Sequence, residues 1–204
     1  MKKIVLATTN RGKLREIEAL LSGLEIALVT VADYQGVPAV VEDGDSFFAN
    51  AFKKARVVCT ATDEAALADD SGLEVDFLGG APGIRSARYA GEDATDEENN
   101  RMLLDALKGV PREKRGCAFR CVLVLYLPNG EYITCEGTWR GEVAETPAGS
   151  GGFGYDPIVY LPERGLTVAQ LPPREKNRLS HRAKALAKLR EELLRMKSGR
   201  SAAW

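Results

Sequence analysis

The chain has 204 residues, 45% apolar and 28% charged, with a formal net charge of −1. That length and composition suit one globular domain, or one domain with two lobes, able to bury a sizeable core. The charge balance argues against a general nucleic-acid binder, and no run of 18 apolar residues offers a membrane span.

Met1-Lys2-Lys3 leads into an apolar stretch too short for a signal-peptide core, so a cytoplasmic location is the default expectation. Lys3 to Ala7 reads as a buried strand and Thr8 to Gly12 as a polar loop. From Lys13, the residues Leu14, Ile17, Leu20 and Leu21 fall at helical spacing. Ile26 to Val31 predicts a second strand. Asp45 or Ser46 is placed to cap a helix running to about Ala61, with Phe47, Ala51, Ala55 and Val58 inward. Ala65 to Asp69 predicts a short strand, broken at Ser71-Gly72 and resumed from Leu73 to Leu78. The glycine-rich stretch Gly79 to Gly83 is a loop. Thr95-x-x-Glu98 is a capping box for a helix to about Leu107, with Met102, Leu103, Ala106 and Leu107 inward.

In Cys117 to Leu127 the odd-numbered residues Cys117, Phe119, Cys121, Leu123 and Leu125 share one face. Pro128-Asn129-Gly130 signals a hairpin into a partner strand from Glu131 to Trp139. Ile158 to Leu161 predicts a further strand. Ser180 caps a last helix in which Leu186, Leu189, Leu193 and Met196 are spaced for packing, and residues 198–204 read as a flexible tail. Helices interleaved with strands, plus a hairpin, predict an α/β fold with a mixed central sheet flanked by helices. With one histidine and no Cys-x-x-Cys pair there is no zinc-like cluster. Cys59, Cys117, Cys121 and Cys135 read as small buried hydrophobes.

Four segments carry possible chemistry. Thr8-Thr9-Asn10-Arg11-Gly12-Lys13 places short donors, a glycine and a cation at a helix N-terminus, which suits an anion and equally suits a polar turn with a solvent-facing lysine. It is not a Walker A loop. Asp69-Asp70-Ser71-Gly72 sets two carboxylates side by side, as metal binding or general-base chemistry needs, with Glu42 as a second candidate ligand. The same four residues also suit a simple Asx-turn. Gly149 to Pro157 frames Phe153 with glycines, either as a face for a nucleobase or as a loop anchored in the core. His181 and Arg182 open the last helix, the end where positive charge is disfavoured unless an acceptor or anion joins it. A capping or packing histidine is the plainer alternative.

Taken in order, five segments resemble the inosine triphosphate pyrophosphatase family, the Ham1-like enzymes. They are Leu6 to Lys13, Asn50 to Ala55, Ala68 to Leu73 continuing into Gly79 to Tyr89, Gly151 to Pro157, and Glu175 to Asn177 with Ser180 to Arg182. The resemblance spans Lys3 to about Leu189. It implies hydrolysis of ITP, dITP and XTP to monophosphate and pyrophosphate, a two-lobed α/β fold over residues 1–197 with a substrate cleft, Mg²⁺ as cofactor, and a homodimer. The charge balance and the lack of a long apolar run lead to the expectation of no nucleic-acid or membrane partner. By the same resemblance, Thr8, Thr9, Asn10, Arg11, Gly12 and Lys13 hold the triphosphate, with Lys54 near the phosphates. Glu42 and Asp70 serve the metal, and Asp70 also accepts the proton of the attacking water. Ser71 touches substrate. Phe153, Gly154, Tyr155 and Asp156 form the base pocket, completed by Lys176, His181 and Arg182, the last two near the 6-oxo group. Ala49, Thr9 and Arg174 depart from the family pattern, and Ala49 removes a possible outer carboxylate. A non-catalytic purine nucleotide-binding protein is the competing reading.

Overall fold

The computed structural model describes residues 2–197, so the 198–204 tail expected from the sequence lies outside the described residues. Seven strands form one sheet in the order β2-β1-β3-β4-β5-β6-β7, where β1 is Lys2–Leu6, β2 Ile26–Thr30, β3 Ala65–Val75, β4 Gly116–Tyr126, β5 Tyr132–Val143, β6 Val159–Leu161 and β7 Leu166–Thr167. β1 pairs parallel with β2 and β3, while β5–β6 and β6–β7 are antiparallel, so the sheet is mixed. Among the described residues five α-helices accompany it: α1 Arg11–Leu21, α2 Phe47–Thr62, α3 Asp96–Ala106, α4 Pro173–Leu179 and α5 His181–Lys197. No helix among the described residues is long and apolar enough to cross a membrane.

The chain divides into two compact units. Among the described residues, the first comprises residues 2–70, 121–137 and 182–197, the second residues 71–120 and 138–181. In the first, strand alternation builds two cores. Ile4 and Leu6 of β1 face Ile17 and Leu21 of α1 and Leu186, Leu189 and Leu193 of α5. Val5 and Ala7 face Ala51, Ala55 and Val58 of α2. In the second, Leu103 of α3 and Leu107 at its C-terminal cap pack with Leu73, Val75, Phe119, Trp139 and Ile158.

Several expectations change. Ser71-Gly72 does not break the strand, and β3 runs through both residues. Gly72 marks a close approach instead: a Cβ there would stand 2.4 Å from the Gly83 carbonyl oxygen and 2.4 Å from Ser86 Oγ. Asp69 and Asp70 therefore lie within a strand, not in a turn. The first helix begins at Arg11, so Gly12 belongs to its first turn and not to the loop. Met102 and Ala106 are exposed, and the inward positions of α3 are Asn99, Asn100 and Leu103. β4 is buried on both faces, so its odd-numbered pattern described only half of its packing. The short helix α4 has no counterpart in the sequence reading; its apolar content is a single leucine, too little for a periodic signal. All four cysteines are buried and free.

Candidate active site

Within the first unit, β1 lies between β2 and β3, so strand order switches at its carboxyl end, where open α/β sheets accept ligands. β3 runs past its pairing of Leu67 with Leu6 and so delivers Asp69 and Asp70 beyond the end of β1. Successive strand residues point to opposite faces, so the two acids part company. Asp69 shares the side of Leu67 and meets α1 and α5. Asp70 shares the side of Ala68 and meets α2.

Asp69 is 1% exposed, and its Oδ2 is committed to cations. Its Oδ2 lies 3.1 Å from Lys13 Nζ and 3.0 Å from Arg182 Nη2. Arg182 also pairs with Glu16, so two buried anions face two cations. Burial pushes the Asp69 carboxyl up, but Lys13, Arg182 and Lys54 outweigh it and hold the group well below the usual carboxylate range. Asp70 differs. Asn50 Nδ2 donates to its Oδ2 at 3.2 Å, and Lys54 Nζ lies 3.3 Å from its Oδ1. Burial raises its pKa and Glu42 adds to the rise, with Lys54 opposing. That leaves a carboxylate more basic than usual beside one that is less basic.

Lys54 also meets Glu42, Nζ to Oε1, at 2.8 Å. Burial lowers the Lys54 pKa, yet Asp70, Asp69 and Glu42 together raise it. Glu42 and Asp70 thus converge on one ammonium. Among the described residues no group of three or more His, Cys, Asp or Glu could hold a metal ion. Two carboxylates are nevertheless what Mg²⁺ takes from a protein when waters and phosphates complete its octahedron. The donor set fits that hard cation, and it leaves Asp69, already neutralised, outside the set.

The loop after β1 is organised by its own side chains. Asn10 caps α1, its Oδ1 accepting from the N–H groups of Gly12 and Lys13. Thr8 Oγ1 accepts from the Asn10 N–H at 3.2 Å. Those N–H groups, which the sequence offers to an anion, are met by Asn10 in this structure. Thr9, Asn10 and Arg11 are exposed.

In the second unit, Asp156 is 3% exposed and organises the glycine loop. Its Oδ2 accepts from the Phe153 N–H at 2.9 Å and pairs with Lys176 Nζ at 2.6 Å. Lys176 Nζ in turn sits 4.4 Å from the centre of the Phe153 ring. Gly152 has φ +78°, and a Cβ there would stand 1.9 Å from Asp156 Oδ2, so only glycine lets the acid reach the loop. Tyr155 donates its hydroxyl to the Ser86 carbonyl at 2.9 Å, and burial raises its pKa. His181 stacks on Phe119, ring centres 4.9 Å apart. Ser71 is half-buried and directly follows Asp70.

Within the first unit the structure thus pairs Lys13 and Arg182 with Asp69, and Lys54 with Glu42 and Asp70; within the second it groups Phe153, Asp156 and Lys176. Arg182 lies among carboxylates, paired with Asp69 and Glu16. Sequence reasoning missed Glu16, Asn50 and Phe119. Glu16 did carry a signal, since it sits three residues from Lys13 and four from Leu20 on the inward side of α1. Asn50 lies next to the inward Ala51, and its Oδ1 also accepts from the Gly44 N–H at 2.8 Å, tying down the turn that follows Glu42.

The chain is similar to known proteins over nearly its whole length. The sequence model of the Ham1 family matches residues 4–192. A dITP/XTP pyrophosphatase of Geobacter sulfurreducens is 50% identical over 193 residues, covering 95% of this chain and 97% of that protein. A protein of the same name in Escherichia coli K12 is 50% identical over 196 residues, covering 95% and 98%. Among solved structures, a HAM1 protein from Coxiella burnetii matches with a TM-score of 0.89 at 44% identity, covering 95% of this chain and 99% of that one. The Staphylococcus aureus Ham1 protein matches with a TM-score of 0.86 at 38% identity, covering 94% and 98%.

Proposed function

The chain belongs to the Ham1 family, and on that premise we propose that it hydrolyses dITP, ITP and XTP to the monophosphate and pyrophosphate, removing deaminated purines from the nucleotide pool. One observation carries the reading beyond similarity. Of two adjacent buried acids, Asp69 is neutralised by Lys13 and Arg182, while Asp70 is kept more basic than an ordinary carboxylate. A site needs that separation if one acid holds structure and the other takes a proton.

Thr8 to Lys13 hold the phosphates, with Lys13 and Lys54 supplying positive charge. Glu42 and Asp70 would hold Mg²⁺, which when bound neutralises phosphate charge. Water attacks the α-phosphorus as Asp70 accepts its proton. The bond to the bridging oxygen breaks, and pyrophosphate leaves with the electron pair. Ser71 contacts substrate. Phe153 to Asp156 and Lys176 form the base pocket, where Phe153 stacks on the purine. His181 and Arg182 donate to the 6-oxo group. Adenine presents an amino donor there and would leave those donors unmatched, a mispairing that enzymes reject strongly. A cytoplasmic homodimer completes the proposal.

Pyrophosphate release across a nucleotide panel, with and without Mg²⁺, tests it. The expected result is Mg²⁺-dependent release from dITP, ITP and XTP, with ATP and GTP far poorer. Release of orthophosphate alone, or equal rates on ATP and ITP, would overturn it. Tight ITP binding without turnover would favour the non-catalytic binder instead.

A further inference from the structure

We propose that Asp96 and Asn100 of α3 are positioning residues that clamp Gly154 by its N–H and its carbonyl and so hold the neighbouring Phe153 ready for the base. The inference rests on the functional reading above. The two residues are one helical turn apart, at i and i+4, and therefore share a face of α3. Asp96 Oδ2 accepts from the Gly154 N–H at 2.6 Å, and Asn100 Nδ2 donates to the Gly154 carbonyl at 3.0 Å. Both polar groups of that glycine are thus taken by side chains more than fifty positions away in sequence.

The platform beneath the clamp is firm. Thr95 and Glu98 close a capping box at the start of α3, and Leu103 and Leu107 are fully buried below it. Asp96 sits in the first helical turn, where the helix dipole favours a carboxylate. Asn100 is 6% exposed, and its Oδ1 is buried without a hydrogen-bond partner. A half-satisfied buried amide is a poor choice for packing alone. Its donor end is the part that serves the loop.

The surroundings explain why a clamp is needed. The α3 side of the glycine loop borders a cavity of about 1220 Å³, lined among others by Asn100, Leu104, Arg115 and Gly152. Asp156 and Lys176 hold Phe153 by its N–H and its ring. Beside the cavity, Asp96 and Asn100 supply the hold on Gly154 that keeps the peptide from sinking into open space.

The test uses the full chain with saturating Mg²⁺. Asp96→Ala removes the acceptor. Asn100→Asp keeps the shape but faces a carboxylate to the carbonyl oxygen. Each variant is expected to raise KM for dITP five- to twentyfold with kcat within threefold. Inhibition by inosine monophosphate should weaken by a similar factor, while inhibition by inorganic tripolyphosphate, which has no base, should not change. Asp96→Asn retains an acceptor for Gly154 and should recover most of the wild-type KM. Wild-type KM in both disruptive variants would overturn the clamp. So would equal weakening of both inhibitors, or an Asp96→Asn variant as impaired as Asp96→Ala. Amide hydrogen exchange at Gly154 reads the clamp without catalysis and should accelerate at least tenfold in Asp96→Ala. Failure of the wild type to cleave dITP would overturn the functional reading, whereas unchanged exchange at Gly154 would overturn the clamp.

Discussion

The first unit answers buried charge with buried charge, whereas the glycine loop of the second uses carboxylates to hold backbone. Asp69, Glu16, Lys13 and Arg182 neutralise one another. Asp96 and Asp156 accept from the N–H groups of Gly154 and Phe153. A charge cluster fixes electrostatics: it decides which acid stays ionised and which is free to accept a proton. Backbone capture fixes position, as a loop that presents an aromatic ring requires. Breaking the first should change turnover or stability, and breaking the second should change KM.

The largest expected effect is on turnover. Asp70→Asn should lower pyrophosphate release by a factor on the order of 10²–10⁴, the usual contribution of a positioned base. Burial disfavours the charge on Asp70, so its removal should not lower the urea midpoint. A variant retaining a tenth or more of wild-type turnover would remove Asp70 from the chemistry.

Asp69→Asn should act mainly on stability. It strands Lys13 and Arg182 partly unpaired in a buried setting, which costs about 3–5 kcal/mol. Because the folded pKa of Asp69 is depressed, its contribution is present above the unfolded value of about 3.9 and fades as pH falls through the folded value. Urea titrations should therefore show a large gap between wild type and variant at pH 7 that narrows steadily below about pH 4. A gap independent of pH would mean that packing, not charge, sets the loss.

The contrast also explains what could be read from the sequence. The apolar run of β1, the extended pattern of β2 and the helical spacing of α1, α2 and α5 were legible, and these elements fall close to where the sequence places them. The acid pair was visible as residues but not as geometry. Gly72 reads as a breaker in one dimension, and only the approach of Ser86 and the Gly83 carbonyl shows why a strand would keep it. Likewise Asn99 and Asn100 replace the apolar residues that helical spacing expects on α3, since they bond to backbone rather than fill a core. Their partners lie in other segments, and a single sequence does not pair them. Glu16 and Phe119 lie outside the five family segments, and Asn50, at the start of one of them, shows its bonds to Asp70 and Gly44 only once side chains meet.

A smaller effect should follow from Gly152→Ala. The added methyl meets Asp156 Oδ2 at a backbone angle that non-glycine residues avoid, a strain on the order of 1–3 kcal/mol. Asp156 must then release the Phe153 N–H or Lys176. KM for dITP should rise about tenfold while kcat changes little, a split opposite to that of Asp70→Asn. Equal losses in both would place Asp156 in the chemistry as well as in the pocket.

The smallest effect tests whether the charge cluster keeps its geometry without help from a helix end. Ser46 caps α2, its Oγ accepting from the Ala49 N–H at 3.2 Å, and Asn50 and Lys54 reach Asp70 from that helix. Ser46→Ala should cost about 1 kcal/mol of stability, and Ser46→Gly only a few tenths. Turnover should stay within twofold, because Asn50 is held independently by the Gly44 N–H and by Asp70, and Lys54 by two carboxylates. A tenfold fall in turnover with Ser46→Ala, restored by Ser46→Gly, would mean that the helix end, and not the mutual attraction of the charges, sets the position of Asp70.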